Sequence, residues 1–227
     1  LLDDATIDRI AAGEVVESPA SVVKELVENA VDAGASAVTV EIENGGIQKI
    51  RVTDNGAGIA AQEVPLAFMR HATSKIFDYR DIQAVSTLGF RGEALSSIAA
   101  VSVTDIATKQ KDAEMGCTAR FEGGKQTECR AAGVPDGTTV TVRSLFYNTP
   151  ARFKFLKSPV QEAAAVSETV ARLILSRPDI SFRYISNAQT VYHSPGNGRA
   201  LDALAAVYGR DVARKVVPVD YAHEQFR

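Results

Sequence analysis

Three polar residues on one predicted helix have the types and spacing that chemistry would need. Glu25, Asn29 and Asp32 are spaced i, i+4 and i+7, so a helix places them on one polar stripe. A carboxylate beside an amide oxygen is what a water-activating, Mg²⁺-holding surface requires. No lysine or arginine of the stripe itself is placed to pair with them. A solvated helix face is the simpler interpretation, but Asn29, a poor mid-helix residue, favours the chemical one.

A second polar group ends a predicted strand. Asp54 has the inward parity of Ile50 and Val52, so we expect its carboxylate on the covered face, where it needs a hydrogen-bond donor. Residues 55–58 follow with little side chain, so a flat ligand can approach the backbone. Such residues are equally common in plain turns. The functional hypothesis is an adenine pocket in which Asp54 accepts a hydrogen bond from the exocyclic amine.

Two further segments suit phosphate groups. Gly89 and Gly92 precede a predicted helix whose first turn carries Glu93, and bare N–H groups at a helix start form an anion site. The segment Thr73–Lys75 offers two hydroxyls and an ammonium, although its lysine is equally typical of an ordinary surface. Neither a Walker A loop nor a dinucleotide-binding fingerprint occurs. A nucleotide would therefore be bound by another scheme.

The helix that carries the polar stripe has both ends marked in the sequence. Ser18 is a good N-cap, Pro19 suits the first helical position, and Gly34 supplies a left-handed residue to end the helix. Its apolar residues share one face and are expected to pack on a core: Val23, Leu26, Val27 and Ala30. A shorter helix is predicted before it, over Asp4–Ala12.

Alternating and β-branched segments predict strands, which are Val38–Glu43, Ile47–Asp54, Val101–Thr108, Cys117–Glu122, Gln126–Ala131, Thr138–Arg143, Ile180–Ser186 and Thr190–His193. The turn signal Asn44–Gly46 indicates that the first two strands are antiparallel. Thr138 could present a hydroxyl to a base, but by itself it is better interpreted as an ordinary strand residue. Helices and strands in blocks predict a two-layer α+β sandwich.

Composition narrows the class of protein. The 227 residues are 45% hydrophobic and 23% charged, which is an ordinary globular composition. The net charge of −3 argues against a protein coated with basic surface. Cys117 and Cys129 suit a reducing compartment and form neither a disulfide framework nor a zinc motif. With no apolar run of membrane length, no signal peptide and no initial methionine, we expect a fragment of a longer protein that does not insert in membranes.

Five segments in order resemble the nucleotide-binding motifs of the GHKL ATPases, the group of gyrase, Hsp90 and histidine kinases: Lys24–Gly34, Asp54–Gly58, Ala72–Ile76, Gly89–Leu95 and Gly137–Thr138. Within this group, Gly89–Leu95, Asn148–Arg152 and Ile10–Val16 resemble the DNA mismatch repair branch, the MutL family. These segments disfavour a histidine kinase or a chaperone.

The mix of aromatic and basic residues over Leu145–Lys157 allows a nucleic-acid surface, but a packed connector is the favoured interpretation.

The resemblance implies a role for each matched residue. Glu25 resembles the general base that polarises the attacking water, and Asn29 resembles the Mg²⁺ ligand. Asp54 resembles the adenine reader, in a pocket lined by Gly56 and Gly58. The remaining positions are the lid residues Thr73, Ser74 and Lys75, the phosphate-binding segment Gly89, Phe90, Arg91, Gly92, Glu93, Ala94 and Leu95, and the second adenine contact Thr138.

The resemblance also implies a fold and a domain division. The expected fold is α+β, a two-layer Bergerat-type (GHKL) sandwich whose mixed, mostly antiparallel sheet carries helices on one face. We expect residues 1–195 to form the ATP-binding domain. Residues 196–227 would be a linker and the truncated start of a second, transducer-like domain, with Ser194–Gly198 as the linker. In the family that second domain supplies a lysine to the γ-phosphate, so hydrolysis by residues 1–227 alone is expected to be slow or absent.

The implied function is an ATP-binding and ATP-hydrolysing, Mg²⁺-dependent switch of DNA mismatch repair. ATP would order the lid and make two N-terminal regions dimerise. The implied partners are mismatched DNA, bound weakly and without sequence specificity, a mismatch-recognition protein, and a downstream nuclease or helicase. The expected location is the bacterial cytoplasm, at the nucleoid during repair. The alternative hypothesis is a non-catalytic, nucleotide-gated module that binds DNA or protein.

Overall fold

The computed structural model describes residues 15–69, 93–217 and 219. Its strands are β1 (Ala37–Glu43), β2 (Lys49–Asp54), β3 (Val103–Lys109), β4 (Gly116–Glu122), β5 (Lys125–Ala132), β6 (Gly137–Arg143), β7 (Ser181–Ser186) and β8 (Gln189–His193). They form one sheet in the order β5-β4-β3-β6-β2-β1-β7-β8. Every pair is antiparallel except β1 with β7, which is parallel. The prediction of a mixed, mostly antiparallel sheet is confirmed.

The helices are α1 (Pro19–Asp32), α2 (Val64–Ala67), α3 (Ala94–Ala100), α4 (Pro150–Phe155), α5 (Pro159–Ser176), α6 (Ala200–Tyr208) and α7 (Arg210–Ala213). Helix α1 begins as predicted, with a capping box. The Ser18 hydroxyl accepts a hydrogen bond from the Ser21 N–H, and the Ser21 hydroxyl accepts one from the Ser18 N–H. It ends before Gly34, whose φ is +71°. Its predicted apolar face is buried, and α1 packs against α3, α5 and the sheet.

The covered face of the sheet is built of rows that run across the strands. Pairing β1–β2–β6–β3–β4 aligns an apolar row of Val40, Val52, Val140, Ile106 and Ala119, all buried. The next row along the strands is mostly polar, and we call it the polar row: Val38, Asp54, Thr138, Thr108 and Cys117. Burying the apolar row stabilises the fold by about 1.5–3 kcal/mol for each large aliphatic side chain. The polar row lies at the edge of this core.

Several local predictions need correction. Glu93 was expected in the first turn of a helix, but α3 begins at Ala94 and Glu93 is the N-cap residue. The connector over Leu145–Lys157 is packed at its start, where Leu145 and Phe146 are buried, and near its end, where the half-buried Leu156 contacts the core. In α4, between them, no residue is buried and Phe155 is 86% exposed. The helix predicted over Asp4–Ala12 lies outside the described residues.

The end of the described chain packs on the same core. Ala203 of α6 is 2% exposed and belongs to the main apolar cluster, and α6 contacts α5 and β8. The domain boundary near residue 196 stays a prediction.

Among the described residues, no helix has the length and apolar content that crossing a membrane requires. The thiols of Cys117 and Cys129, on neighbouring strands, are free and lie 3.6 Å apart.

Candidate nucleotide-binding site

Helix α1 supplies the first half of the candidate site. Glu25, Asn29 and Asp32 are all half-buried, so the polar stripe is neither in the core nor fully solvated. A cation that lies next to the stripe, rather than on it, pairs with the first residue of the stripe. Lys24 Nζ lies 3.6 Å from Glu25 Oε1 and 2.8 Å from Glu28 Oε2. Burial tends to lower the pKa of Lys24, but the hydrogen bond and charge of Glu28, with the charge of Glu25, outweigh it and raise the pKa. A permanent cation therefore accompanies the Glu25 carboxylate.

Asp54 supplies the second half, at the end of β2 in the polar row. Its Oδ1 accepts from the Gly56 N–H at 2.8 Å, and the carboxylate also accepts from the Thr138 N–H. Burial raises the pKa of Asp54 despite these two bonds, which lower it. The inward parity predicted from the sequence is confirmed, because Asp54 pairs with Thr138 and the next residue of that row, Thr108, is buried. The carboxylate is thus partly removed from solvent and held in place by two backbone N–H groups.

Asn55 is a structural clamp that the sequence did not predict. Its Oδ1 accepts from the Ser36 and Ala37 N–H groups, at 2.9 Å each, and its Nδ2 donates to the Ser36 hydroxyl at 2.9 Å. Next to it, the Ala57 N–H donates to the Ala33 carbonyl at 2.9 Å. These bonds attach the loop after β2 to the C-cap residue of α1 and to the segment that leads from α1 into β1. The two halves of the site are therefore joined through the backbone.

The glycines of this loop are required by close packing. A Cβ on Gly56 would lie 2.9 Å from both the Cβ and the carbonyl oxygen of Ala33. Gly58 has φ +71°, and a Cβ there would lie 2.2 Å from the Lys109 carbonyl oxygen. Gly137, at φ +97°, would place a Cβ 2.2 Å from the Asp54 carbonyl oxygen. The structure thus gives these glycines a packing reason, while their contact with a base stays a prediction.

Thr108, on β3, is a polar-row residue that sequence reasoning missed. Its hydroxyl accepts from the Ile59 N–H at 2.9 Å, donates to the Gly137 carbonyl at 3.1 Å, and lies 3.0 Å from the Thr138 hydroxyl. The side chain is fully buried. The available signal was its inward parity, since a polar residue among the inward positions of a predicted strand needs partners. Thr138 itself is half-buried beside it.

The phosphate-side predictions are only partly within the described chain. The predicted site residues Thr73, Ser74, Lys75, Gly89, Phe90, Arg91 and Gly92 lie outside the described residues. Glu93, Ala94 and Leu95 are half-buried at the start of α3, where the Glu93 carbonyl accepts from the Ser97 N–H at 2.9 Å and from the Ser96 hydroxyl at 3.0 Å. Helix α3 contacts α1. This arrangement brings the end of the predicted phosphate segment to the helix that carries Glu25 and Asn29.

The predicted Mg²⁺ site fits the donors present. Over residues 15–69 and 93–217, no group of three histidine, cysteine, aspartate or glutamate side chains could hold a metal. Mg²⁺ keeps several waters and is usually held by one or two protein oxygens together with substrate phosphates. The half-buried Asn29 amide suits such a contribution, and a dedicated protein cage is not needed.

Comparison with known proteins shows the class of protein to which the chain belongs. The family model described as "Histidine kinase-, DNA gyrase B-, and HSP90-like ATPase" matches residues 16–139, a segment that contains α1, the loop after β2 and the start of β6. The chain therefore belongs to this ATPase family, and its eight-stranded sheet with helices is the Bergerat-type α+β fold.

Individual relatives narrow the family further. The solved ATPase domain of Aquifex aeolicus MutL complexed with ADP is 33% identical, with a TM-score of 0.68 over 86% of this chain and 70% of that one. The DNA mismatch repair proteins MutL of Agathobacter rectalis and Pelotomaculum thermopropionicum are 51% and 52% identical over 100% and 96% of this chain. The chain is a member of the MutL family. It spans 35% and 36% of those two relatives, about a third of their length.

Proposed function

We propose that this chain is the ATP-binding part of a mismatch repair ATPase and that its base pocket lies at the polar row. The observation that carries the proposal is Asp54, whose half-buried carboxylate is held by the Gly56 and Thr138 N–H groups and has a raised pKa. A partly desolvated acceptor at the end of a strand gains from the exocyclic amine of adenine, which donates hydrogen bonds. The ADP bound to the Aquifex aeolicus relative supports a nucleotide as the ligand.

The proposed chemistry is hydrolysis of the γ-phosphate by water. Glu25 would accept the proton of the water as its oxygen attacks the γ-phosphorus and the bond to the β-phosphate oxygen breaks, giving ADP and phosphate. Asn29, one turn further along α1, would contribute a ligand to Mg²⁺, which when bound neutralises charge on the phosphates. Thr73–Lys75 would belong to the lid, and Gly89–Leu95 would offer N–H groups to the phosphates.

For the whole protein we propose that ATP binding and hydrolysis switch it between two states. ATP binding would order the lid and pair two N-terminal regions, and hydrolysis would reset them. The pairing would transmit mismatch recognition to a downstream nuclease or helicase, in the bacterial cytoplasm and at the nucleoid during repair, with weak, non-specific binding to DNA. The names of the relatives, DNA mismatch repair proteins, support this assignment.

The binding test uses Asp54→Ala in the full-length protein. We expect ATP affinity to fall at least about tenfold, because the loss of a hydrogen bond to a charged group costs about 1.5–3 kcal/mol. Asp136→Ala, which removes an exposed aspartate paired with Lys109, is the matched control and should bind normally. Unchanged ATP affinity in Asp54→Ala would refute the pocket.

The hydrolysis test uses Glu25→Ala in the same protein. Phosphate release should fall about 100-fold or more while ATP binding persists, since general-base catalysis typically contributes 10²–10⁴-fold. Glu168→Ala, on the exposed face of α5, is the control and should hydrolyse normally. A wild-type protein that binds ATP stoichiometrically without releasing phosphate would favour the non-catalytic, nucleotide-gated module instead.

A further inference from the structure

The hydrogen bonds of Thr108 determine where its single hydroxyl proton lies. The hydroxyl has three polar neighbours, the Ile59 N–H at 2.9 Å, the Gly137 carbonyl at 3.1 Å and the Thr138 hydroxyl at 3.0 Å. The first can only donate and the second can only accept. Because Thr108 is fully buried, no solvent competes for these groups. We therefore assign the Thr108 proton to the Gly137 carbonyl, while the Ile59 N–H takes one lone pair of Thr108.

The direction of the remaining bond follows from this assignment. With its proton committed, Thr108 can only accept from Thr138 across their 3.0 Å contact. The Thr138 proton is then used inside the sheet, and its oxygen keeps only lone pairs for the pocket. Asp54, the direct cross-strand partner of Thr138, is also an acceptor when ionised. The polar row thus presents two neighbouring acceptors and no donor from these two side chains.

We propose that Thr108 is a specificity-determining positioning residue, which holds Thr138 as a hydrogen-bond acceptor and so selects 6-aminopurine nucleotides over 6-oxopurine nucleotides. A 6-amino group offers two N–H donors, which suit two acceptors. A 6-oxo group has only lone pairs, which face the lone pairs of Asp54 and Thr138. A site built to accept hydrogen bonds from the 6-position group strongly rejects a ligand whose 6-position group cannot donate them. The inference rests on the proposed ATP site and adds a residue that does not touch the base.

The test compares the affinities of ATP and inosine triphosphate, a 6-oxopurine analogue, for the full-length protein by calorimetric titration. Thr108→Val keeps the shape of the side chain but removes the hydroxyl, so Thr138 is free to rotate and donate. The ratio of the two affinities should fall at least about tenfold, which corresponds to one wrongly directed hydrogen bond. Thr108→Ser keeps the hydroxyl and should retain the ratio within about threefold.

The ratio separates positioning from a merely structural effect. Thr108→Val also removes the acceptor for the Ile59 N–H. Any resulting loosening of the loop lowers the affinity for both nucleotides alike. Equal losses for ATP and inosine triphosphate would therefore overturn the proposal. Thr138→Val should lower the ratio as Thr108→Val does, and the double variant should lower it no further, because both act on one hydrogen bond.

The outcomes also distinguish this inference from the proposed function. A wild-type protein that binds neither nucleotide would refute the ATP site itself. A wild-type protein that binds both equally would leave a nucleotide site but overturn the role of Thr108. If Thr108→Val does not fold, as judged by circular dichroism, the decision rests on Thr138→Val and Thr108→Ser. The proposal would then be overturned if Thr138→Val leaves the ratio of ATP affinity to inosine triphosphate affinity unchanged. It would also be overturned if Thr108→Ser abolishes the preference for ATP.

Discussion

Gly58→Ala should destabilise the fold by roughly 2–5 kcal/mol, through two separate effects. The first is conformational, because Gly58 has φ +71° and a left-handed backbone costs a non-glycine residue about 1–2 kcal/mol. The second is steric, because the new Cβ would lie 2.2 Å from the Lys109 carbonyl oxygen and 2.6 Å from its carbon. Both atoms are backbone atoms of β3, so the loop or the strand must shift, and overpacking of this kind costs about 1–3 kcal/mol.

The chain contains a matched control for the conformational effect. Gly34 has the same φ, +71°, but a Cβ there would meet nothing within 4 Å. Gly34→Ala should therefore cost only the conformational part, about 1–2 kcal/mol. The difference between the two variants, about 1–3 kcal/mol, measures the contact between the pocket loop and β3.

The assay is urea unfolding of both variants and of the unchanged chain, with the loss of structure monitored by circular dichroism. Thermal unfolding provides a second measure, since 1 kcal/mol shifts the midpoint by about 2–4 °C for a domain of this size. Gly58→Ala should unfold at lower urea and lower temperature than Gly34→Ala, and it should also bind ATP more weakly. If the two variants have unfolding free energies within about 0.5 kcal/mol of each other, the close approach of Gly58 to β3 is not rigid and the reasoning fails.

Three further predictions test other parts of the molecule. Asn55→Ala should lower the unfolding free energy by about 1–3 kcal/mol, because two N–H groups lose their acceptor, whereas Ser36→Ala should cost less than about 1 kcal/mol in the same urea assay. Ser18→Ala and Ser158→Ala should each cost about 1 kcal/mol, since both serines cap a helix through a capping box; thermal midpoints unchanged by either would contradict this. Because the pKa of Asp54 is raised, its contribution to stability is present below the ordinary value of 3.8 and is lost as the pH rises through the raised pKa, while ATP affinity should fall as the pH decreases through that pKa. Titrations with ATP at decreasing pH check this, and an affinity that holds down to pH 3.8 would contradict it.

The individual elements of the fold could be predicted because their signals are local. The N-cap Ser18 and the alternation in β1 are written in adjacent residues, and both are confirmed. The order of the strands could not be predicted in the same way. Strand β7 pairs in parallel with β1 although more than a hundred residues of chain separate them. Pairing of this kind follows from matching buried rows across the whole sheet, and no local pattern encodes it.

The same distinction applies to the candidate site. Asp54 was found from the sequence because parity along its own strand already turns it inward. Asn55 looked like a turn residue, since its partners Ser36 and Ala37 are 19 and 18 residues earlier in the chain. Thr108 went unnoticed because its partners Gly137 and Thr138 are 29 and 30 residues later. A polar residue whose role depends on a distant partner has no signature in its own segment.

The Asn55 clamp has a consequence for how the two halves of the site work together. Ala33, which receives the Ala57 N–H, lies one turn beyond Asn29 on a helix whose opposite face is buried in the core. A buried helix moves as a unit, so we expect that a base which shifts the loop after β2 also shifts the residues proposed to act on the phosphates. Loosening the clamp should therefore weaken ATP binding and turnover together, whereas Glu25→Ala should lower turnover alone. Base recognition and water activation, far apart in the sequence, are thus expected to respond to a single mechanical element.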